Sequence, residues 1–428
     1  MIAAMMLGLL VVLLLLGLPV VFAMGAVSGI YLLLADIDLG MLAQRSTASI
    51  DSFLVLAIPF FYLAGELLNA CRLTDRIISM ARALVGHLPG GLAQVNTFSA
   101  MVFAGMSGSA TADTAALGAV LIPAMKKEGY PAGFAAAVTV AGAMVGPIIP
   151  PSGAMVIYAA LADVSAGRML LAGILPGLTI VAVQMVFNHF MAKRHDFPRH
   201  AKASWSERLA AIRHGSPALM LPIIIVGGIL TGIFTPTEAA AVAVAYGLVL
   251  GTVIYRNVSA IEAWRAFADV GLAAARILII VAIASAFSWI MVREQVPQVI
   301  AGTLGSITSS QTIIMLLMIG FLIVVGLFMV ASSAEIVLTP ILVPVAVAFG
   351  IDPIHFGVLF VYILNIGGGT PPVGVLLYIA QDIARIDFST MCRAMLPYYI
   401  PMGIAVLLIA FIPSISLTIP DLVFGPGR

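Results

Sequence analysis

Residues 146–153 read Gly-Pro-Ile-Ile-Pro-Pro-Ser-Gly, and residues 367–374 read Gly-Gly-Gly-Thr-Pro-Pro-Val-Gly. The two stretches stand 221 positions apart (367 less 146), and the same displacement turns Gly105, Pro123 and Gly129 into Gly326, Pro344 and Gly350. Both windows lie in strongly apolar sequence. Proline removes an amide donor and clashes with the preceding turn, so each Pro-Pro pair ends a helix where hydropathy alone would continue one. The chain therefore reads as a duplicated unit whose helices break at membrane depth. Paired, interrupted apolar segments in two halves point to the binding site of a secondary transporter.

Composition fixes the class. Hydrophobic residues make up 62% of the 428 residues and charged residues 9%, against about 25% charged in ordinary soluble domains. A mean hydropathy of +1.16 leaves no room for a large water-soluble domain. Many stretches approach the roughly 20 apolar residues that cross a bilayer. The expected partner is thus the lipid bilayer. A formal net charge of +1 argues against nucleic acid. Cys71 and Cys392 are the only cysteines and offer neither a disulfide framework nor metal-ligand spacing. The first basic residue is Arg45, so the apolar N-terminus lacks the positive region of a cleavable signal and reads as ordinary spans.

The longest polar stretch, Lys193 to His214, holds Lys193, Arg194, Arg199, Lys202, Arg208 and Arg213 against Asp196 and Glu207. Short basic loops stay in the cytoplasm. We therefore divide the chain into a first half (1–192), a cytoplasmic basic linker (193–215) and a second half (216–428). Trp205, Leu209 and Ile212 at helical spacing place part of the linker along the membrane surface.

Apolar runs give spans near 3–22, 24–35, 53–70, 88–104, 133–146, 152–163, 169–191, 216–234, 236–255, 270–292, 311–329, 354–367, 372–383 and 395–416. Two further segments, about 105–125 and 326–345, are cut by small and polar residues. They read as re-entrant helical hairpins, the alternative being continuous spans with a glycine-rich packing face. Lys126 and Lys127 follow the first hairpin, whereas Val347 and Ala348 stand at the matching positions of the second. That asymmetry orients the halves oppositely, as an inverted repeat. Irregular backbone at this depth is tolerated only where protein buries it or water reaches it, so each hairpin tip is a functional candidate.

The first tip offers the hydroxyls of Ser107, Ser109, Thr111 and Thr114, the flexible Gly108 and one carboxylate, Asp113. An ionisable group at this depth is costly and marks function by default. Asp113 reads as a cation ligand, a proton carrier or a helix cap, or as the partner of a distant basic residue. In the broken segment that follows, Gly146, Pro147, Pro150 and Pro151 free carbonyls for a cation, and a new half-helix starts near Ser152. In the second half, Asn365, Gly367, Gly369 and Thr370 supply oxygens around the glycine run, beside Pro371 and Pro372. The second tip, Val330 to Glu335, brings Ser332, Ser333 and Glu335. Oxygen-only ligation suits a hard cation such as Na⁺. The cluster Thr235-Pro-Thr-Glu238 reads as a helix start: proline fits the first turn and glutamate favours the dipole.

The run from Gly105 to Gly173, which begins GMSGSATADTAALGAV, closely resembles the large membrane subunit of tripartite ATP-independent periplasmic (TRAP) transporters. So do LAIPFFYLAGELL (56–68), GIFTPTEAAAVAVAYG (232–247) and TPILVPVAVAFGIDPIHFG (339–357), and IGGGTPPVG (366–374) is similar to the family's IGxxTPPVG. The resemblance implies an all-α elevator-type transport domain, carrying both hairpins, beside a scaffold. It implies Na⁺ as the coupling ion, with no organic cofactor, and uptake of a carboxylate such as a C4-dicarboxylate or a sialic acid. It also implies a periplasmic substrate-binding protein and a small four-helix membrane subunit as partners, and the bacterial inner membrane as location.

Carried onto this chain, Ser107, Ser109, Gly146, Pro150, Asn365, Gly367, Gly369 and Thr370 become the expected Na⁺ ligands. Gly108, Thr111, Asp113, Pro151, Ser152, Ser332, Ser333, Glu335, Pro371 and Pro372 become the expected substrate contacts. One departure stands out: many relatives carry a carboxylate where this chain has Val330. A stand-alone divalent-anion/Na⁺ symporter of similar architecture is the rival within transport. An intramembrane hydrolase built on Ser107 or Ser109 lacks a base on a matching helix face, so no enzyme activity is expected.

Overall fold

The computed structural model describes residues 2–71 and 73–426, the side chains of 2–4 excepted. Its regular secondary structure is entirely helical among the described residues. The first half contains α1 (Ile2–Leu15), α2 (Val20–Leu34), α3 (Gly40–Ile50), α4 (Ala57–Ala70), α5 (Thr74–Val85), α6 (Gly91–Ser107), α7 (Ala110–Lys127), α8 (Ala132–Ala143), α9 (Gly153–Leu161), α10 (Ala166–Ala172) and α11 (Ile174–His195). The second half contains α12 (Trp205–Leu230), α13 (Pro236–Val249), α14 (Ala260–Arg293), α15 (Val296–Ile307), α16 (Gln311–Phe328), α17 (Ala331–Ala348), α18 (Pro353–Gly367), α19 (Val375–Ala384), α20 (Phe388–Met395), α21 (Tyr399–Phe411) and α22 (Ser414–Phe424). Among the described residues, seven helical stretches are long and apolar enough to cross a membrane. Side chains such as Leu15, Phe190 and Leu422 lie on the outside, where acyl chains rather than water suit them.

The 221-residue displacement holds through the architecture. Shifted by 221, α7 covers 331–348, the bounds of α17, and α5 covers 295–306, within one residue of α15. The shifted α3 and α4 both fall inside α14, so one unbroken 34-residue helix in the second half answers two helices in the first. The Pro150–Pro151 and Pro371–Pro372 peptides are both cis, and Gly129 and Gly350 both take a left-handed φ. The two units interlock: α9 packs on α17 and α18, and α19 packs on α7 and α8.

Each hairpin is a pair of full helices. The first turns at Gly108, whose φ of +59° suits glycine, and at Ser109, whose hydroxyl caps α7 by accepting from the Ala112 amide. The second turns through extended backbone at Met329 and Val330, with no side-chain cap. The segments at 105–125 and 326–345 thus hold each turn and second arm, while α6 and α16 are the first arms. Hydropathy separates them because an arm is as apolar as a span.

Other boundaries move for local reasons. The break expected between the spans 3–22 and 24–35 falls earlier, between Leu15 and Val20, because Gly17 takes a φ of +83° and Pro19 precedes α2. The helices α3, α5 and α15 escape a hydropathy reading: α3 and α5 carry polar residues and α15 is short. The basic linker is non-helical only before Trp205; from there it forms the first turns of α12, capped reciprocally by Ser204 and Glu207. Trp205 and Leu209 are exposed there. The helix start at Thr235 is as read, with Pro236 in the first turn and Glu238 completing a capping box.

Lipid gives no hydrophobic drive between spans, so close approach and polar bonds do the holding. The α8 helix, rich in Ala and Gly, is buried from Gly133 to Ala143. Asn96 donates to Thr139 at 2.7 Å, Asn188 donates to Thr97 at 2.8 Å, and Tyr398 donates to Asn188 at 2.7 Å, stitching α6 to α8, α11 and the start of α21. Gly326 and Gly367 touch backbone to backbone: a Cβ on Gly367 would sit 2.3 Å from the Gly326 carbonyl oxygen. Overpacking of a tight core costs about 1–3 kcal/mol. Gly367→Ala is therefore expected to lower the thermal midpoint of the purified protein, whereas Gly320→Ala, on α16 with open space around it, leaves it unchanged. Equal midpoints for the two variants would remove this contact from the account.

Candidate functional site

A cavity of about 210 Å³ lies where the two hairpin tips meet the two broken segments. Gly108, Ser109 and Thr111 line it from the first tip, Ser332 and Glu335 from the second, and Asn365 and Gly367 from the end of α18. Ala154 and Val375, at the starts of α9 and α19, complete it together with Tyr62 of α4. Four helices thus present their N-termini here: α7, α9, α17 and α19. Three present C-terminal ends: α6 at Gly108, α16 at Met329 and α18 at Gly367 and Gly368.

Helix ends carry the unsatisfied backbone groups and the partial charges of the macrodipole. The amide ends favour an anion and the carbonyl ends a cation, each worth about 0.3–1 kcal/mol when exposed and more when shielded. Among the described residues no lysine or arginine lines the cavity. Any anion held there is held by dipoles, hydroxyls and whatever cations bind alongside.

Behind the first tip is a tighter nook. The Ser107 hydroxyl donates to one carboxylate oxygen of Asp113, and the Ser109 amide donates to the Ser107 oxygen at 3.2 Å. The second Asp113 oxygen is buried without a hydrogen-bond partner and lies 2.7 Å from where a Gly146 Cβ would stand. The Pro151 carbonyl oxygen comes 2.6 Å from the corresponding point on Gly108. Ser107, Gly108, Asp113, Gly146 and Pro151 therefore converge, a carboxylate oxygen and bare carbonyls together. A Cβ at position 146 would intrude on the carboxylate. Asp113 has no basic partner within ion-pair distance among the described residues.

The remaining expected residues divide. Asn365 donates to the Val361 carbonyl at 2.8 Å, and its own side-chain oxygen has no donor among the described residues. Ser152 is fully buried and caps α9: its hydroxyl donates to Pro147 at 2.5 Å and accepts from the Met155 amide at 3.1 Å. Its role here is structural. Pro150 is buried near Gly105. Gly369 packs against Met144, and its carbonyl accepts from Tyr399 at 2.9 Å. Thr370 donates to Ile366 at 2.8 Å. Ser333, Pro371 and Pro372 do not line the cavity.

Sequence reading missed Tyr62. It sits in the LAIPFFYLAGELL run, but nothing about a tyrosine in an apolar helix distinguishes a cavity wall from a packing residue. Gly153 permits its close approach, since a Cβ there would lie 2.8 Å from the Tyr62 ring.

Sequence comparison matches residues 7–415 to the family described as the tripartite ATP-independent periplasmic transporter, DctM component. The chain is 38% identical to the sialic acid TRAP transporter large permease protein SiaM of Vibrio cholerae, covering 96% of this chain and 97% of that protein. It is 33% identical to the C4-dicarboxylate TRAP transporter large permease protein DctM of Rhodobacter capsulatus, covering 97% and 98%. Among solved structures it is similar in fold to the YdaH transporter of Alcanivorax borkumensis, with a TM-score of 0.62 at 16% identity, over 90% of this chain and 88% of that one.

Asp113→Asn keeps the acceptor for Ser107 and removes the charge. A ligand present at 100 times its Kd stabilises a protein by about 2.7 kcal/mol. The expected result is that NaCl, against choline chloride, raises the thermal midpoint of the wild type clearly more than that of Asp113→Asn. Equal responses would leave Asp113 with only its bond to Ser107.

Proposed function

The chain belongs to the DctM family of tripartite ATP-independent periplasmic transporters, and from that premise we propose that it is the Na⁺-coupled carrier subunit for uptake of a carboxylate-bearing organic acid. As a family member it is a multi-pass protein of the bacterial inner membrane and a permease component for secondary transport of organic acids. The finer reading adds the coupling ion, the mechanism and the partners. A periplasmic binding protein would deliver the acid, and a small membrane subunit would brace the scaffold.

One observation carries the reading. A single cavity gathers four helix N-termini and three C-terminal ends, with two buried carboxylates in or beside it and, among the described residues, no basic side chain. Amide ends and hydroxyls suit an anion, while carbonyl ends and carboxylates suit cations. Bound separately, each ion would carry uncompensated charge into a low-dielectric medium, at a cost of several kcal/mol. Bound together they offset one another, so the loaded form moves far more easily than a partly loaded one. That difference is the coupling.

In this mechanism Ser107, Asp113 and the carbonyls near Gly146 hold one Na⁺, and Asn365 with the glycine run near Gly367 holds another. The acid lies between the tips, against Ser109, Thr111 and Ser332. The body that carries both hairpins then shifts as a unit against a scaffold, an elevator motion that exposes the cavity to either side in turn.

The test is uptake into proteoliposomes with the cognate binding protein and small subunit. Uptake should saturate and collapse without an inward Na⁺ gradient. Asn365→Ala should raise the Na⁺ concentration for half-maximal uptake roughly tenfold, the ratio corresponding to about 1.4 kcal/mol, with unchanged protein abundance. Uptake indifferent to Na⁺ would reject the coupling.

A further inference from the structure

Glu335 has no obvious place in a site built for an anion. Among the described residues it is the one charged side chain lining the cavity. It is 2% exposed, and its Oε1 has no hydrogen-bond partner. No lysine, arginine or histidine lies within ion-pair distance of it among the described residues. Asn365, Ala154 and Ile157 line the same cavity, the Tyr62 and Tyr158 side chains are close enough to feel the charge, and the Tyr158 backbone hydrogen-bonds the carboxylate, leaving Oε1 as the free oxygen. None supplies a positive charge. An isolated carboxylate removed from water is costly by several kcal/mol and persists where a binding event compensates it.

The duplication sharpens the point. The displacement of 221 that maps Asp113 to Ala334 maps Thr114 to Glu335. In the first unit Thr114 is buried and donates to the Ala110 carbonyl at 2.8 Å, an intrahelical bond. Its counterpart is a carboxylate with a free oxygen in the cavity wall. Glu335 is thus not a second copy of the Ser107–Asp113 nook. The second tip has no hydroxyl equivalent to Ser107, since Phe328 stands there, and its turn residues Met329 and Val330 offer no polar side chain.

We propose that Glu335 receives an ammonium group of the transported molecule, so that the substrate is a small zwitterionic acid rather than a dicarboxylate. The carboxylate of such a molecule meets the helix N-termini and the hydroxyls of Ser109, Thr111 and Ser332. Its ammonium group meets the unpartnered Glu335 oxygen and the side-chain oxygen of Asn365. A dicarboxylate in the same cavity would set one of its charges against Glu335, a like-charge approach that disfavours both ions. A cavity of about 210 Å³ suits a compact acid of a few carbons. This inference rests on the reading of the cavity as the substrate site.

The test measures binding to the purified permease itself, which separates its preference from that of the binding protein. Near-isosteric probe pairs differ in one end group: β-alanine against succinate, and 4-aminobutyrate against glutarate. Thermal stabilisation is followed at saturating Na⁺ for wild type, Glu335→Gln and Glu335→Asp. Wild type should bind the ammonium member of each pair at least roughly tenfold more tightly, Glu335→Asp should keep that order, and Glu335→Gln should lose or reverse it. A preference for the dicarboxylates, silence of both ammonium probes, or the same preference in Glu335→Gln overturns the proposal. So does a Glu335→Gln variant that changes only the Na⁺ midpoint, since Glu335 would then serve a coupling cation. A Na⁺ titration without any probe reports separately on the coupling reading, so failure of one is distinguishable from failure of the other.

Discussion

A peptide group left without a partner in hydrocarbon costs several kcal/mol, so every helix break in this chain must be repaired by protein or filled by a ligand. The repairs are visible. The Pro147 carbonyl receives the Ser152 hydroxyl, the Gly369 carbonyl receives Tyr399, and the Gly368 carbonyl receives the Leu376 amide at 2.9 Å. The Val373 amide reaches across to Leu327 on the second hairpin. Among the carboxylates of the tips, the outer oxygens of Asp113 and Glu335 stay without a partner among the described residues, at the cavity and the nook behind it.

The duplication gives two similar frames that carry different chemistry. In the first, Gly108 permits a left-handed turn, Ser109 caps the following helix, and Ser107 holds Asp113 in place over Gly146. In the second, extended backbone makes the turn, and Gly326 and Gly367 close on one another where the first unit admits a carboxylate. Because α9 packs on the second hairpin and α19 on the first, movement at either tip is felt by the other unit's half-helix. Both tips also share the cavity wall. On the proposed reading, loading one side organises the other, and that is the coupling.

Much of this was legible in the residues. Glycine and proline spacing located both breaks, because backbone geometry restricts those residues more than any others. The starts near Ser152 and at Thr235 followed from prolines that break or open a helix, with Glu238 favouring the dipole. Hydropathy was a poorer guide. It placed the break between α1 and α2 several residues past Gly17, treated hairpin arms as spans, and passed over α3, α5 and α15, because a bilayer scale measures apolar content and not partners. Of the expected site residues, Ser107, Gly108, Asp113, Gly146 and Pro151 converge, while Ser152, Gly369 and Thr370 spend their polar groups on the fold. Tyr62 gave no signal, since it enters the cavity from a helix distant in sequence. Family resemblance added the coupling ion and partners, which no residue pattern supplies.

The account's central claim is that cations order both tips and both broken segments around one shared cavity. Hydrogen–deuterium exchange of the protein in lipid nanodiscs, with Na⁺ against an equal concentration of choline, measures this directly. The account predicts slower exchange in Na⁺ at 105–114 and 326–335 together, with α12 and α13 unaffected. Exchange at both tips that ignores Na⁺ would contradict it.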